Sequence, residues 1–268
     1  EWKNSNAFKY FLKKLKGINH MNTAFYTGAS GLKAYQTNIN IVGHNITNSS
    51  TTGYKTTIPE FRDLVYTNMD ANKNRELGDD EKIKAGHGVK VQNDALIFTQ
   101  GGFASTDYAL DFAIAGDGLF GLMNDDQSIE YTRNGCFDVS VEGDAAYLVN
   151  SDGKYVLNSA NQKIQIGYDP DTRNINTENV KIQLGVFSFD NPSGLTRTDG
   201  GSFLQSENSG DPRLATDYTI HQGSLERSNV ELSQEMTNLI IAQRAYQFSA
   251  KVVTTADEIE QLINSLRG

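Results

Sequence analysis

A chain of 268 residues is long enough for one or two domains with a core of their own, and its single cysteine excludes both a disulfide framework and a multi-thiolate metal site. A formal charge of −9 disfavours nucleic acid as a partner, because an acidic body repels a polyanion. With 24 glycines, only 4 prolines and 38% hydrophobic residues, the balance suits a turn-rich β protein flanked by polar helices.

Residues 1–20 set Lys3, Lys9, Lys13, Lys14 and Lys16 against Glu1. The lysines interrupt Phe8, Tyr10, Phe11, Leu12, Leu15 and Ile18, so the segment has neither the apolar run nor the small-residue cleavage site of a secretory signal. Phe8, Phe11, Leu12 and Leu15 share a face that would suit a basic amphipathic helix on a membrane surface. The weightier reading is a basic extension translated upstream of Met21, where the periodic pattern starts afresh.

From Met21 to about Asn48 the residues Phe25, Ala29, Leu32, Ile39, Val42 and Ile46, with Tyr35 in the gap, recur at three- and four-residue steps. That spacing predicts one face of a helix or a coiled-coil seam, about 42 Å long. Gly28 and Gly31 each weaken such a helix by roughly 1 kcal/mol, so it is expected to form poorly until a neighbour packs on it. Asn45, Asn48, Ser49, Ser50 and Gly53 end it, and Asn45 to Lys55 is expected to be an ordered turn held by side-chain-to-backbone hydrogen bonds. Residues 68–86, with Asp79-Asp80-Glu81 and few apolar side chains, read as a flexible or assembly-ordered loop.

Between the terminal stretches the period changes to two. Val89 and Val91, Leu110-Phe112-Ile114, Ile164-Ile166-Tyr168 and Ile182-Leu184-Val186 alternate as half-buried strands do. Asn150-Ser151-Asp152-Gly153 and Asp169-Pro170-Asp171 supply turns between strands. The C-terminal stretch opens on Ser228-Asn229-Val230-Glu231, which reads as a capping box. It continues with a stripe of Leu232, Met236, Leu239, Ala242, Tyr246, Val253, Ala256, Ile259, Ile263 and Leu266 as far as Arg267.

The chemistry-bearing residues do not assemble into a reaction centre. Gly116-Asp117-Gly118-Leu119-Phe120-Gly121 has the letters of a dinucleotide-binding loop, but no helix pattern follows to aim amides at a phosphate, so a tight hairpin turn is expected. His20, His44, His87 and His221 lie far apart at no metal-ligand spacing. Cys136 reads as a small apolar core residue, and the carboxylates of Asp125-Asp126 and Asp79-Asp80-Glu81 as solvated loops. The glycosylation patterns at Asn45 and Asn48 fall at the end of a helix needed for packing and read as chance. No enzyme activity, cofactor or metal is expected.

Phe25-Tyr26-Thr27-Gly28-Ala29-Ser30-Gly31-Leu32, then Gly43-His44-Asn45-Ile46-Thr47-Asn48 and Thr51-Thr52-Gly53-Tyr54-Lys55, resemble the signature of the bacterial flagellar rod and hook proteins. In that pattern His44 replaces the first of two asparagines and Thr47 an alanine. Further landmarks follow in order: Thr99-Gln100-Gly101-Gly102, residues 110–120, Tyr131-Thr132-Arg133-Asn134-Gly135-Cys136-Phe137, and Gln222-Gly223-Ser224-Leu225-Glu226-Arg227-Ser228-Asn229-Val230. Gln243-Arg244-Ala245-Tyr246 and the loop ahead of Gly88 most resemble the distal-rod branch, with proximal-rod, hook-type or non-flagellar surface-assembly subunits as alternatives.

The resemblance implies an α+β fold: a discontinuous, coiled-coil-like helical assembly domain (21–66 with 222–268), a loop (67–86) and a central antiparallel β-rich domain (87–221), behind an extension (1–20) without counterpart. It further implies a subunit exported by the flagellar type III apparatus without a cleaved signal. Such a subunit would pack helically with its own copies and with other rod and hook proteins into a hollow, torque-bearing shaft inside the basal-body rings. The expected subunit-interface residues are Phe25, Leu32, Ile39, Asn45, Ile46, Asn48, Thr52, Gly53 and Tyr54, with Leu239, Tyr246, Val253 and Ile263 from the C-terminal helix.

Overall fold

The computed structural model describes residues 6–64, 66–68, 84–86, 88–143, 145–169, 174–176 and 180–266. Most of the loop expected over 67–86, the first residues of the 1–20 extension, the Pro170-Asp171 turn and Arg267 lie outside the described residues. Helix α1 (Asn6–Thr47) is followed by β1 (Thr57–Asp63), β2 (Tyr66–Asn68), β3 (Lys84–Gly86), β4 (Val89–Leu96), β5 (Phe103–Ser105) and β6 (Phe112–Gly116). Then come β7 (Leu119–Met123), β8 (Ile129–Thr132), β9 (Phe137–Glu142), β10 (Ala145–Asn150), β11 (Tyr155–Val156), β12 (Gln165–Asp169) and β13 (Asn174–Asn176). A short helix α2 (Val180–Gln183) precedes β14 (Val186–Ser188), β15 (Thr196–Arg197), β16 (Ser202–Leu204), β17 (Arg213–Leu214), β18 (Tyr218–Gln222), β19 (Ser224–Glu226) and the final helix α3 (Leu232–Ser265).

The chain forms two compact units. The first comprises residues 1–43, 59–94 and 236–268, and the second 44–58 and 95–235.

The first unit holds most of both long helices. Helix α1 runs 42 residues straight through Met21, where the sequence reading starts a new helix; nothing there breaks the backbone ladder, because residues 6–47 contain no proline. Gly28 and Gly31 are close-approach positions. A Cβ on Gly28 would stand 2.8 Å from Val253 Cγ2, and one on Gly31 2.9 Å from Ser249 Oγ, so the absent side chains let α3 lie against α1. Among the described residues of α1 the buried ones are Gly28, Gly31, Ala34, Ile41, Val42 and Asn45. The predicted stripe contributes Val42 to this face, whereas Phe25 is exposed and Ala29, Leu32, Tyr35, Ile39 and Ile46 are only half-buried.

The second unit is built on an eleven-stranded antiparallel sheet in the order β13-β12-β10-β11-β7-β8-β16-β15, with β9 paired to β10, β14 to β7 and β17 to β14. Strand β7 is central and buried on both faces. Alternation sends Phe120 and Leu122 into one core with Phe112, Ile114, Phe137, Leu148, Ile164 and Ile220, and Leu119 into another with Tyr131, Phe187, Phe189 and Phe203. Phe187 lies across the bare Cα of Gly121, from which an added Cβ would be 2.7 Å away. The remaining strands of the unit make two-stranded sheets, β18 with β6 and β19 with β5.

Four local expectations are corrected. Residues 180–183 are helical, not extended: Val180 and Leu184 turn inward four residues apart while Ile182 is 82% exposed, so helical spacing wins over apparent alternation. The C-terminal helix begins at Leu232, because residues 224–226 are held in β19; the Ser228 hydroxyl accepts from the Val230 amide at 3.3 Å and no capping box forms. The Gly116–Gly121 turn is not a hairpin, since β6 pairs with β18 while β7 pairs with β8, β11 and β14. Cys136 is exposed, because Phe137 takes the inward position and alternation turns its neighbour out.

Candidate functional site

The motif residues of the sequence converge on one buried ionic clasp in the second unit. At its centre is Glu226, whose side chain is 1% exposed. Its Oε1 accepts from Lys55 Nζ at 2.8 Å and from the Gly101 amide at 2.8 Å; its Oε2 accepts from Arg133 Nε. Its backbone carbonyl takes the Gly53 amide at 2.8 Å. Lys55 also donates to the Thr99 carbonyl at 2.8 Å.

Arg133 accounts for the turn that the sequence reading assigns to a hairpin. Its guanidinium donates to the carbonyls of Ile114 at 2.8 Å and Gly116 at 2.7 Å and to that of Gly118. The glycine-rich letters therefore wrap a protein cation instead of a phosphate. Burial pushes the Lys55 ammonium below its ordinary value, partly offset by Glu226. Burial alone would raise the Glu226 carboxyl, but Arg133 and Lys55 beside it hold it below the usual carboxylate value. Two cations share one carboxylate here, and backbone carbonyls take the remaining donors.

Two asparagines complete the arrangement. Asn229 donates to the carbonyls of Ile97 at 2.8 Å and Thr99 at 3.1 Å, and its Oδ1 accepts from the Thr56 amide and hydroxyl, both at 2.8 Å. Asn45 donates to the Thr57 carbonyl at 2.8 Å and to Glu235 at 3.1 Å, and its Oδ1 accepts from the Tyr54 hydroxyl at 2.9 Å. Arg197 lies 4.4 Å over the Tyr54 ring and donates to the Lys55 carbonyl at 2.6 Å. Gly53 is at φ 68, and a Cβ there would meet the Asn134 amide nitrogen at 2.5 Å; Thr52 bonds the Asn134 side chain at 3.0 Å.

Of the residues expected at a subunit interface, Asn45, Gly53 and Tyr54 are thus buried within this unit, and Asn48 and Thr52 are half-buried beside them. In the first unit Leu239, Tyr246 and Val253 are half-buried, while Phe25 and Ile263 are exposed. The sequence reading quotes Lys55, Arg133, Glu226 and Asn229 inside its motifs without giving them a role. The available signal was a charged or amide side chain embedded in each glycine-bearing run, as in Arg133-Asn134-Gly135.

Helix α3 presents a second feature. Its buried apolar side chains are two alanines, Ala242 and Ala256. Nine large ones stand open, from 41% exposed at Ile263 to 69% at Phe248, and Leu266 just past the helix is open too. Ile241, Ala245, Phe248, Val252, Thr255, Ile259 and Leu262, with Leu266 just past the helix, follow one another at steps of four and three, a seven-residue repeat that is apolar except at Thr255. The line Leu239, Ala242, Tyr246, Ser249, Val253 and Ala256 steps three and four, and includes the residues that approach Gly28 and Gly31 of α1.

Two family models match the two parts that carry these features. One described as "Flagella basal body rod protein" covers residues 25–55, and one described as "Flagellar basal body rod FlgEFG protein C-terminal" covers residues 221–266. Among similar proteins is the flagellar basal-body rod protein FlgG of Borreliella burgdorferi, 33% identical over 92% of this chain and 99% of its own. The proteins of the same name from Agrobacterium fabrum (36% identical, 90% and 98% covered) and Bacillus subtilis (32%, 92% and 100%) are similarly matched. With the matched segments bearing Lys55, Glu226 and Asn229 of the clasp and much of both long helices, and with identity sustained over nearly the whole length of these relatives, the chain belongs to the bacterial flagellar basal-body rod protein family.

Proposed function

We propose that this protein is a structural subunit of the flagellar basal-body rod, of the distal-rod type, which polymerises helically with its own copies and with other rod and hook proteins into a hollow torque-transmitting shaft. The observation that carries the reading is the open seam of α3. A large aliphatic or aromatic side chain gains roughly 1.5–3 kcal/mol on full burial. Nine of them, 41–69% exposed on one helix, leave a gross drive on the order of 10 kcal/mol unsatisfied in the single chain.

The partner that fits a seven-residue repeat is another helix. The half-covered stripe Phe25, Leu32, Ile39 and Ile46 of α1 in a neighbouring copy has matching chemistry. In this reading Leu239, Tyr246 and Val253 hold α3 to its own α1, and Ile241, Phe248, Val252, Ile259, Ile263 and Leu262 meet the neighbour as a coiled coil. Asn45, Asn48, Thr52, Gly53 and Tyr54 order the turn that leads out of α1 within the second unit. The same reading carries export by the flagellar type III apparatus, residence in the basal body and contact with its surrounding rings.

The test is the double variant Phe248→Asp, Leu262→Asp. It is expected to leave the aromatic near-ultraviolet signal of the isolated chain unchanged and to stop rod growth, giving truncated basal bodies and loss of motility. Full-length rods built from the double variant would overturn the proposal.

A further inference from the structure

We infer that the second unit contains a latch: a layer made of residues 52–57 and 97–118 that is ordered by the returning segment 218–229, and that opens and closes as one cooperative piece while the eleven-stranded sheet stays folded. This goes beyond assembly and holds for a single chain.

The topology carries the argument. Among the described residues, β5 has β19 as its strand partner and β6 has β18, so both take their partners from residues 218–226. The stitches between the two parts continue past the strands. Thr106 donates to the Gly223 carbonyl at 2.8 Å, Gly223 to that of Asp111 at 2.8 Å, and Arg227 to that of Gly102 at 2.8 Å. Asn229 holds Thr56, Ile97 and Thr99 at once. The strands of residues 119–214, by contrast, take their strand partners from one another, by short connections as in β7 with β8 and by long ones as in β14 with β7. They touch the layer's backbone at the Asp111–Cys136 bridge, where the Phe112 amide meets the Gly135 carbonyl.

Glu226 is the keystone. Through one side chain and one carbonyl it reaches Gly53, Lys55, Gly101 and Arg133, and Arg133 in turn fixes the carbonyls of residues 114, 116 and 118. Withdrawing residues 218–229 removes this carboxylate from two buried cations and removes the strand partners of β5 and β6 together. Such contacts are lost jointly, and stability in folded proteins is distributed in contiguous cooperative pieces of this kind. Opening bares the side of the sheet core that Phe112, Ile114 and Ile220 cover, among them Phe120 and Phe137.

Native-state hydrogen exchange of the full chain tests this. In mild denaturant the amides of Gly53, Gly101, Thr106 and Arg227 are expected to share one opening free energy. Those of Leu148, Leu157, Ile164 and Gly185, whose acceptors lie within residues 121–164, share a higher one. The Glu226→Gln variant keeps the shape but removes the charge, and is expected to speed exchange of the first group about a hundredfold or more, with the second group unchanged. One common opening free energy for both groups in the unmodified chain would overturn the latch. So would equal acceleration of both groups in the variant, or acceleration of neither. If the variant does not fold, the sheet depends on the same charge and the latch is likewise overturned.

Discussion

At the scale of residues, the clasp is asymmetric, and the asymmetry has a measurable consequence. Lys55, Glu226 and Arg133 bring two positive charges and one negative into a dry interior. Replacing Lys55 with Met leaves a paired Arg133 and Glu226, with the Gly101 amide still on the carboxylate, so the loss is on the order of 1–3 kcal/mol. Replacing Arg133 with Met takes the guanidinium from the Gly116 and Gly118 carbonyls and from one carboxylate oxygen, while the Ile114 carbonyl keeps Gln100 Nε2, and breaking a buried pair in this way costs about 3–5 kcal/mol. Urea unfolding of the two variants with unchanged m is therefore expected to place Arg133→Met well below Lys55→Met, and the opposite order would refute this partition. The pH dependence follows from Glu226. Its folded carboxyl lies below the ordinary value of 4.5, so the stability it supplies is complete above that value and is lost as pH falls through the lower folded one. Lys55 tilts the curve the same way: its lowered folded value makes burial of the ammonium a cost that is relieved as pH rises through that value.

At the scale of elements, the two long helices show what periodicity can and cannot reveal. Gly28 and Gly31 read as weak points because an isolated helix loses stability at glycine, yet in the folded unit they are places where α3 packs too close for a side chain. A charged residue at Val253 is expected to push α3 away from Gly28, lowering the helical signal of the isolated chain and abolishing assembly while leaving the sheet unit's aromatic signal intact. Circular dichroism in the far and near ultraviolet separates these effects, and an unchanged helical signal would show that the approach to Gly28 contributes nothing. Helix existence, the antiparallel β character and the Asn150–Gly153 turn were legible because each depends on neighbours within a few residues. The turn is present as read, with the Asn150 side chain accepting from the Asp152 and Lys154 amides at 3.0 and 2.8 Å. The start of α3 was not legible, because what stops Ser228 from capping a helix is a strand partner, β5, more than a hundred residues earlier. The clasp was half legible. Its residues stood out within glycine-bearing motifs, but that Arg133 fills the Gly116–Gly118 turn is a contact only the fold brings about. On α1 the predicted stripe of bulky residues shares Val42 with the face buried in the single chain, which otherwise bears Gly28, Gly31, Ala34, Ile41 and Asn45 among the described residues.

At the scale of the whole molecule, the two units differ in how complete they are without company. The second encloses two aromatic-rich cores, with Phe112, Phe120 and Phe203 at no more than 1% exposed. The first keeps on α3 a row of large apolar side chains with no cover in the single chain, so its helices rest on few buried groups, and an amphipathic helix owes most of its stability to packing. Unfolding of the isolated protein is therefore expected in two steps. Helical ellipticity goes first, at low denaturant, and the near-ultraviolet signal of Tyr131 and its aromatic neighbours Phe187 and Phe189 goes second. Raising the protein concentration distinguishes the cause. Association binds the folded helices and not the unfolded ones, so by mass action the first midpoint moves upward with concentration while the second stays fixed. A single transition seen alike by both probes and insensitive to concentration would mean that the helices already have their full complement of contacts in one chain, and the open seam would then need another explanation than polymerisation.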